Sequence, residues 1–222
     1  MPNLITVARL ALAVVFFAIL SGYQYRGRGD PTLLNVAFGV YLVALFSDFL
    51  DGYLARRWKT ESQFGRIVDP FVDKVLVLGS FVFFAGKNFI IPDTEAAAAN
   101  QPMVVKTITG VAPGIVVILL ARELFVTVLR SASESSGESF GAAFSGKLKM
   151  VCQSVTILVI LVYVNSLHSL QTHGYDAGAR LFRDVCIWVT VAVTVLSGLL
   201  YVGRGRKLYD LSPHHQPGQG AA

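Results

Sequence analysis

The sequence predicts an all-α, polytopic membrane protein with six transmembrane helices. Its 222 residues are 54% hydrophobic and only 15% charged, whereas a soluble domain carries about 25% charged residues. Apolar segments near the ~20 residues that a spanning helix needs recur along the chain. They are Asn3–Gly22, Leu33–Leu54, Ile67–Ala85, Val111–Leu129, Met150–Leu167 and Val185–Val202. We therefore expect one membrane domain over residues 1–211 and a polar, disordered cytoplasmic tail over 212–222.

The first apolar segment is expected to be retained as a helix rather than removed as a signal peptide. It follows a single basic residue, Arg9, and lacks a small-x-small cleavage site. Three connections between the segments are longer than the rest: Ser21–Asp30, Lys87–Met103 and Ser131–Gly146. The third is rich in Ser and Gly and lies between Arg130 and Lys147, so it could close over a bound anion or serve as a flexible connector.

The net charge of +5 is interpreted as a signal of orientation, and no nucleic-acid partner is expected. With both termini in the cytoplasm, the cytoplasmic side holds Arg9, Arg56, Arg57, Lys59, Arg66, Arg130, Lys147, Lys149, Arg204, Arg206 and Lys207. The opposite side holds Arg26, Arg28, Lys87, Lys106, Arg180 and Arg183. The positive-inside rule favours this orientation, although Arg26 and Arg28 locally oppose it.

Four aspartates form an acidic run beside two of the predicted helices. Asp48 and Asp51 are three residues apart, so they lie about 60° from each other on one helix face. Asp69 and Asp73 continue a single stripe that begins at Gly65, with spacing i, i+4, i+8. Helices joined by a short linker are usually antiparallel neighbours, so we expect the two acidic stripes to face each other near the cytoplasmic surface.

Carboxylates at this density need a cation, because like charges raise one another's pKa. Oxygen ligands without Cys or His nearby select Mg²⁺, Mn²⁺ or Ca²⁺ over zinc, and two such ions can clamp a phosphoryl group. The small residues Gly52 and Ala55 lie on the same face as Asp48 and Asp51 and leave room for a ligand. A purely structural alternative pairs the acids with neighbouring cations, namely Arg56, Arg57, Arg66 and Lys74. A cation channel or transporter is a second alternative, but its acids would be distributed across the membrane depth.

The acidic run resembles the signature of the CDP-alcohol phosphotransferase family. The matching residues are Asp48, Asp51, Gly52, Ala55, Arg56, Gly65, Asp69 and Asp73, without one departure. The resemblance implies a six-helix, usually dimeric membrane enzyme that joins a CDP-activated group to an alcohol and releases CMP. It also implies two Mg²⁺ or Mn²⁺ ions held by Asp48, Asp51 and Asp69. Asp73 would be shared between metal binding and catalysis, as the general base.

Other blocks resemble the phosphatidylglycerophosphate synthases within this family. They are Pro2-Asn3-Leu4-Ile5-Thr6-x-x-Arg9, Arg122-Glu123, Arg130, Ser145-Gly146-Lys147-x-Lys149 and Gln153. The subfamily's usual Thr after the second Lys is Met150 here. The resemblance implies transfer of a phosphatidyl group from CDP-diacylglycerol to glycerol 3-phosphate, in a homodimer in the bacterial inner membrane with the site facing the cytoplasm. Residues implied for CDP-diacylglycerol are Asn3, Thr6, Arg9, Gly52, Ala55, Arg56 and Gly65.

The acceptor phosphate is expected to meet Arg122, Arg130, Lys147 and Lys149. Arg122 and Arg130 fall within about 80° of each other on one helix, and a buried Arg in an apolar segment needs an anionic partner. Lys149 and Gln153 are spaced i, i+4 on the next helix. The alternative pairs Arg122 with Glu123 and makes the lysines ordinary positive-inside residues. Inositol phosphate, serine and phosphatidylglycerol are the alternative acceptors.

Overall fold

Six α-helices make up most of the chain that the structure, a computed structural model, describes. The described residues are 2–25, 31–58, 63–91, 107–135 and 144–211, with side chains described over 7–25, 31–47, 71–72, 74–91, 107–131 and 146–203. The helices are α1 (Pro2–Gly22), α2 (Pro31–Trp58), α3 (Gln63–Phe84), α4 (Pro113–Ser135), α5 (Phe144–Thr172) and α6 (Asp176–Leu211). The described residues also contain a 3₁₀ turn at Lys87–Phe89 and one isolated β-bridge between Ile90 and Thr107. No strand forms within these residues.

Each predicted apolar segment matches one helix, apart from the end residues Ala85, Val111 and Ala112, and the all-α fold is confirmed over the described residues. Each helix runs past its apolar segment at one end or at both, because backbone hydrogen bonding continues through polar residues where hydropathy stops. The predicted loop Ser131–Gly146 is accordingly too long, since α4 extends to Ser135 and α5 begins at Phe144. Prolines open α1, α2 and α4, where the fixed φ suits a first helical turn and the missing N–H removes no helical bond.

Within the described residues, two helical stretches are long and apolar enough to cross a membrane. They are Gly146–Thr172, with 27 residues, and Asp176–Gly203, with 28 residues. Shorter apolar stretches occur in the first three helices, at Val7–Gly22, Pro31–Ser47 and Lys74–Phe84. These stretches are consistent with a membrane protein, and the count of six spans stays a prediction.

The helices pack as two groups of three. In the first group α1 lies against both α2 and α3, and in the second α6 lies against both α4 and α5. Aromatic rings fill the first group, where Phe16 contacts Tyr41 at a centroid distance of 5.4 Å and Phe17 stacks on Phe83 at 5.2 Å. The groups meet where α2 contacts α5 and where α3 contacts both α4 and α5. The helices that carry the four aspartates therefore adjoin the helices that carry the predicted acceptor residues.

A pair of threonines joins α5 to α6. The hydroxyl oxygens of Thr156 and Thr190 are 2.8 Å apart, and each lies 3.1 Å from a backbone carbonyl of the opposite helix, at Cys186 and Cys152. Both cysteines are free and half-buried. Polar contacts of this kind between apolar helices fix the register of one helix against the other. They set the position of α6 relative to the site described below.

The close approach of α1 and α3 depends on Gly79. A Cβ added at Gly79 would lie 2.4 Å from Cζ of Phe17, and that ring is stacked on Phe83 at an interplanar angle of 8°. Gly79→Ala should therefore overpack this contact, at a cost of about 1–3 kcal/mol. At about 2–4 °C per kcal/mol for a chain of this size, the melting midpoint in detergent should fall by several degrees.

Gly39→Ala is the matched control, because a Cβ at this helical glycine meets nothing within 4 Å. Alanine is the better helix former, so the melting midpoint should stay the same or rise. Equal shifts for the two substitutions would show that α1 and α3 do not pack as closely as described.

Candidate active site

The backbone places the four aspartates on two helices, as predicted. Asp48 and Asp51 belong to α2, and Asp69 and Asp73 belong to α3, so the i, i+3 and i, i+4 spacings are helical spacings. Pro70 lies in the interior of α3 rather than in its first turn, because α3 begins at Gln63. The side chains of several predicted site residues lie outside the described residues: Asn3, Thr6, Asp48, Asp51, Gly52, Ala55, Arg56, Gly65, Asp69 and Asp73.

The donor set of this stretch fits hard divalent cations. Four aspartates lie between positions 48 and 73 without a Cys or His among them, and carboxylate oxygens suit Mg²⁺ or Mn²⁺. Among the described side chains, no group of three or more His, Cys, Asp or Glu could hold a metal ion elsewhere. Metal binding by the aspartates of α2 and α3 stays a prediction.

Arg9 is the predicted CDP-diacylglycerol residue whose side chain is described. It is only 1% exposed, in spite of its charge. It belongs to α1, the helix that packs against both aspartate-bearing helices, α2 and α3. The buried positive charge of Arg9 therefore lies on a helix that contacts both α2, which carries Asp48 and Asp51, and α3, which carries Asp69 and Asp73.

The carboxylate of Glu123 lies at the centre of a buried charge cluster. Glu123 Oε2 pairs with Lys149 Nζ and accepts a hydrogen bond of 3.0 Å from Arg122 NH1, while Oε1 lies 3.7 Å from Lys74 Nζ. The side chains of Glu123, Arg122 and Lys149 are 11%, 9% and 7% exposed. Buried charges are tolerated only when they are paired. This Glu123 cluster, with Lys74, Arg122 and Lys149, thus joins α3, α4 and α5.

Lys74 connects the Glu123 cluster to the acidic run, because it directly follows Asp73 in α3. Its Nζ donates a hydrogen bond of 2.7 Å to Thr127 Oγ1, and that hydroxyl donates to the Glu123 carbonyl, also at 2.7 Å. Whether Lys74 also serves as a counter-ion of the aspartates lies outside the described residues. Through Lys74, the backbone of Asp73 is tied to α4.

The structure brings Arg122 and Arg130 together through α6. Arg122 pairs with Glu123, as the structural alternative anticipated, but its NH2 also donates to Ser197 Oγ at 2.8 Å. The Arg122 guanidinium lies 5.9 Å from the ring centroid of Tyr201, and Arg130 NH2 is 3.4 Å from the Tyr201 hydroxyl. Arg130 is exposed, and so is Lys147 at the start of α5.

Two buried donors of this region have no hydrogen-bond partner among the side chains that the structure describes. They are Nε of Arg122 and Nε2 of Gln153. Gln153 is 2% exposed and lies one helical turn beyond Lys149 on α5. An unsatisfied buried donor is costly, and buried polar groups are rarely left without a partner. The neighbouring Glu123 cluster carries more positive than negative charge, so a bound anion would suit the site and could accept hydrogen bonds from these two donors.

Several members of this site were not identified as functional from the sequence. Glu123 belongs to a block that resembles the subfamily and is a possible partner of Arg122, but the sequence assigns it no role in the site, although an acid within an apolar segment is itself a signal. Ser197 and Tyr201 are spaced i, i+4 on α6, but single Ser and Tyr residues are common in apolar helices. Only the packing of α6 against α4 reveals what they contact.

A family model described as CDP-alcohol phosphatidyltransferase matches residues 1–196. A CDP-diacylglycerol–glycerol-3-phosphate 3-phosphatidyltransferase of Bacillus subtilis is 29% identical over 210 residues, which cover 92% of this chain and 94% of the relative. The enzyme of the same name from Cereibacter sphaeroides is 26% identical, covering 90% and 92%. A probable phosphatidylglycerophosphate synthase of Mycobacterium tuberculosis is 29% identical, covering 92% and 80%.

The Glu123 cluster generates a prediction about stability. Glu123→Ala removes the shared anion and leaves buried cations without it, and breaking a buried ion pair in this way costs about 3–5 kcal/mol. Lys149→Met should cost less, since Glu123 would still have Arg122 and Lys74 as partners. The measurement compares the melting midpoints of both variants with the wild type in the same detergent.

The order of the two effects is the informative result. If Lys149→Met lowers the melting midpoint as much as Glu123→Ala, then Glu123 is not the shared partner of these cations.

Proposed function

The chain belongs to the CDP-alcohol phosphatidyltransferase family, and we propose that it transfers a phosphatidyl group from CDP-diacylglycerol to glycerol 3-phosphate. The products are phosphatidylglycerophosphate and CMP. The observation that carries the choice of acceptor is the Glu123 cluster, which includes Lys74 of the helix that bears Asp73. Beside it lie the buried donors of Arg122 and Gln153, which have no partner among the described side chains. The names of the relatives from Bacillus subtilis and Cereibacter sphaeroides support the same reaction.

The charge of the cluster supports a phosphorylated acceptor. Three cationic side chains, Lys74, Arg122 and Lys149, against the single carboxylate of Glu123 leave a net charge of +2. A phosphate monoester carries about −1.5 to −2 at pH 7 and so nearly balances that charge. Serine or free inositol would leave the net charge of +2 unbalanced and would offer no anion to the buried donors of Arg122 and Gln153, and sites built for a polar group reject ligands that lack it.

Acceptor binding is assigned to the basic residues of α4 and α5. Arg122, with its planar fork of donors, is suited to bidentate contact with phosphate, and Lys149 supplies a point charge beside it. Arg130 and Lys147 are exposed, so a charged acceptor that arrives from water can contact them before it reaches the buried Arg122 and Lys149. Long-range attraction by such residues raises the rate of encounter with an anion.

CDP-diacylglycerol binding is assigned to the side of the site formed by α1, α2 and α3. The residues proposed for it are Asn3, Thr6, Arg9, Gly52, Ala55, Arg56 and Gly65. The buried charge of Arg9 supports this assignment, since a buried Arg suits an anionic partner such as pyrophosphate. The acyl chains of the substrate would lie in lipid, next to the apolar outer faces of the helices.

The reaction that these residues support is a single displacement at phosphorus. The carboxylate of Asp73 takes the proton from an acceptor hydroxyl, and the resulting oxygen attacks the phosphorus that bears diacylglycerol. A new oxygen–phosphorus bond forms while the bond to CMP breaks, and CMP leaves with the electron pair. Divalent ions held by Asp48, Asp51, Asp69 and Asp73 would offset the negative charge that develops on the phosphoryl oxygens. Lys74, adjacent to Asp73, keeps the base close to the acceptor residues of α4.

We further propose that all six helices span the bacterial inner membrane, with the site facing the cytoplasm, and that the enzyme is a homodimer. The two apolar stretches of α5 and α6 support membrane insertion. The distribution of Lys and Arg supports the orientation. The bacterial relatives support the inner membrane.

Asp73→Asn should abolish turnover without unfolding the protein. Loss of a general base typically lowers the rate 10²–10⁴-fold, and impaired metal binding lowers it further. The rate of CMP release from CDP-diacylglycerol is the measurement. Asp184→Asn is the matched control, because Asp184 lies near the start of α6, where it contacts Arg183. Turnover of the Asp73 variant within tenfold of the wild type would contradict the assignment of the base.

Glycerol 3-phosphate should be the preferred acceptor of the purified enzyme. Labelled CDP-diacylglycerol and Mg²⁺ are incubated with glycerol 3-phosphate, inositol phosphate, serine or phosphatidylglycerol, and the lipid product is identified. Phosphatidylglycerophosphate should dominate, and excess chelator should prevent its formation. If another acceptor gives more product at equal concentration, the proposed acceptor is wrong although the family chemistry would stand.

A further inference from the structure

Three residues of α6 lie against the predicted acceptor arginines of α4. Ser197 accepts a hydrogen bond from Arg122, Gly198 lies beside the Arg122 side chain, and Tyr201 contacts both Arg122 and Arg130. We call Ser197, Gly198 and Tyr201 the α6 patch. The match to the family model ends at residue 196, so these residues follow the matched part of the chain.

We propose that the α6 patch positions Arg122 for the acceptor phosphate and thereby sets the affinity for the acceptor. This inference rests on the proposed function of Arg122 in acceptor binding. The residues of the α6 patch act through Arg122 and do not themselves touch the reacting atoms. They are therefore positioning residues for acceptor binding.

Ser197 is held so that its lone pair points at Arg122. The Ser197 hydroxyl donates its hydrogen to the carbonyl of Thr194 at 2.8 Å, and the same oxygen accepts from Arg122 NH2 at 2.8 Å. Ser197 is 2% exposed, so water does not compete for either bond. A hydroxyl whose hydrogen is committed in this way can only accept from the arginine, and it fixes the position of one guanidinium nitrogen.

The Arg122 guanidinium is consequently bound at two nitrogens and leaves the third for a ligand. NH1 donates to Glu123 and NH2 donates to Ser197. Nε is buried and has no hydrogen-bond partner within the described part of the chain. Because the guanidinium is planar and rigid, fixing NH1 and NH2 also fixes the direction of the Nε–H bond. An anion that accepts from Nε would meet a donor that is already oriented.

Gly198 is required because the Arg122 stem passes close to α6. A Cβ added at Gly198 would lie 3.1 Å from Arg122 Cγ, so the arginine stem would have to shift by a few tenths of an ångström. Gly203, further along the same helix, has nothing within 4 Å of such a Cβ. These two helical glycines therefore form a matched pair for substitution by alanine.

The test measures the Michaelis constants of Ser197→Ala and Gly198→Ala for each substrate, with Leu199→Ala and Gly203→Ala as controls. Leu199 is 62% exposed and does not belong to the α6 patch. Losing a positioned hydrogen bond to a charged group should raise the constant for glycerol 3-phosphate roughly tenfold. The constant for CDP-diacylglycerol should stay at its wild-type value, and the controls should match the wild type for both substrates.

A double-mutant cycle then shows whether Ser197 acts through Arg122. In an Arg122→Ala background, Ser197→Ala should have no further effect on the constant for glycerol 3-phosphate, because the residue it positions is gone. Additive effects, an unchanged constant in the single variants, or equal rises for both substrates would overturn the inference while leaving the proposed function intact. A wild-type enzyme that forms no phosphatidylglycerophosphate from glycerol 3-phosphate would instead overturn both.

Discussion

The ion pairing of Glu123 is the interaction on which the described site depends. One carboxylate on α4 is the common partner of Lys74 on α3, Arg122 on α4 and Lys149 on α5. Without that anion, the three cations would repel one another, and the buried Arg122 and Lys149 would lose hydration that nothing replaces. With it, three helices are held together and an excess positive charge remains. The same contact therefore stabilises the fold and provides the electrostatic basis for binding an anion.

The remaining contacts of the region place that excess charge beside the acidic run. Thr127 accepts from Lys74 and donates to the Glu123 carbonyl, which links the residue after Asp73 to the backbone of α4. On the other side, Thr156 and Thr190 set α6 against α5, and α6 in turn holds Arg122 through Ser197. The site thus lies at the boundary between the two three-helix groups. The proposed base on α3 and the proposed acceptor residues of α4 and α5 are brought together by contacts between helices.

The sequence predicted the parts of this arrangement that depend on spacing within one helix. The aspartate pairs of α2 and α3 and the Lys149–Gln153 pair have the helical spacing that their numbers imply, and the resemblance to the family is confirmed by its model. What depends on contact between helices was not predictable. No spacing relates Lys74 to Glu123, or Ser197 to Arg122, since these pairs are brought together only when the helix groups pack. Helix ends were misjudged at α5 because hydropathy reports apolar content, whereas helices continue through polar residues such as Ser145 and Lys147.

An experimental structure of the enzyme with glycerol 3-phosphate bound tests the central claim most directly. The phosphate should lie against the Glu123 cluster, accept a hydrogen bond from Nε of Arg122 and contact Lys149. Ser197 should still be hydrogen-bonded to Arg122. The acceptor hydroxyl should then point towards Asp73. A phosphate bound away from Arg122 and Lys149 would contradict the proposal that the Glu123 cluster binds the acceptor. In that case the Glu123 cluster would be unchanged and its donors would face another part of the protein.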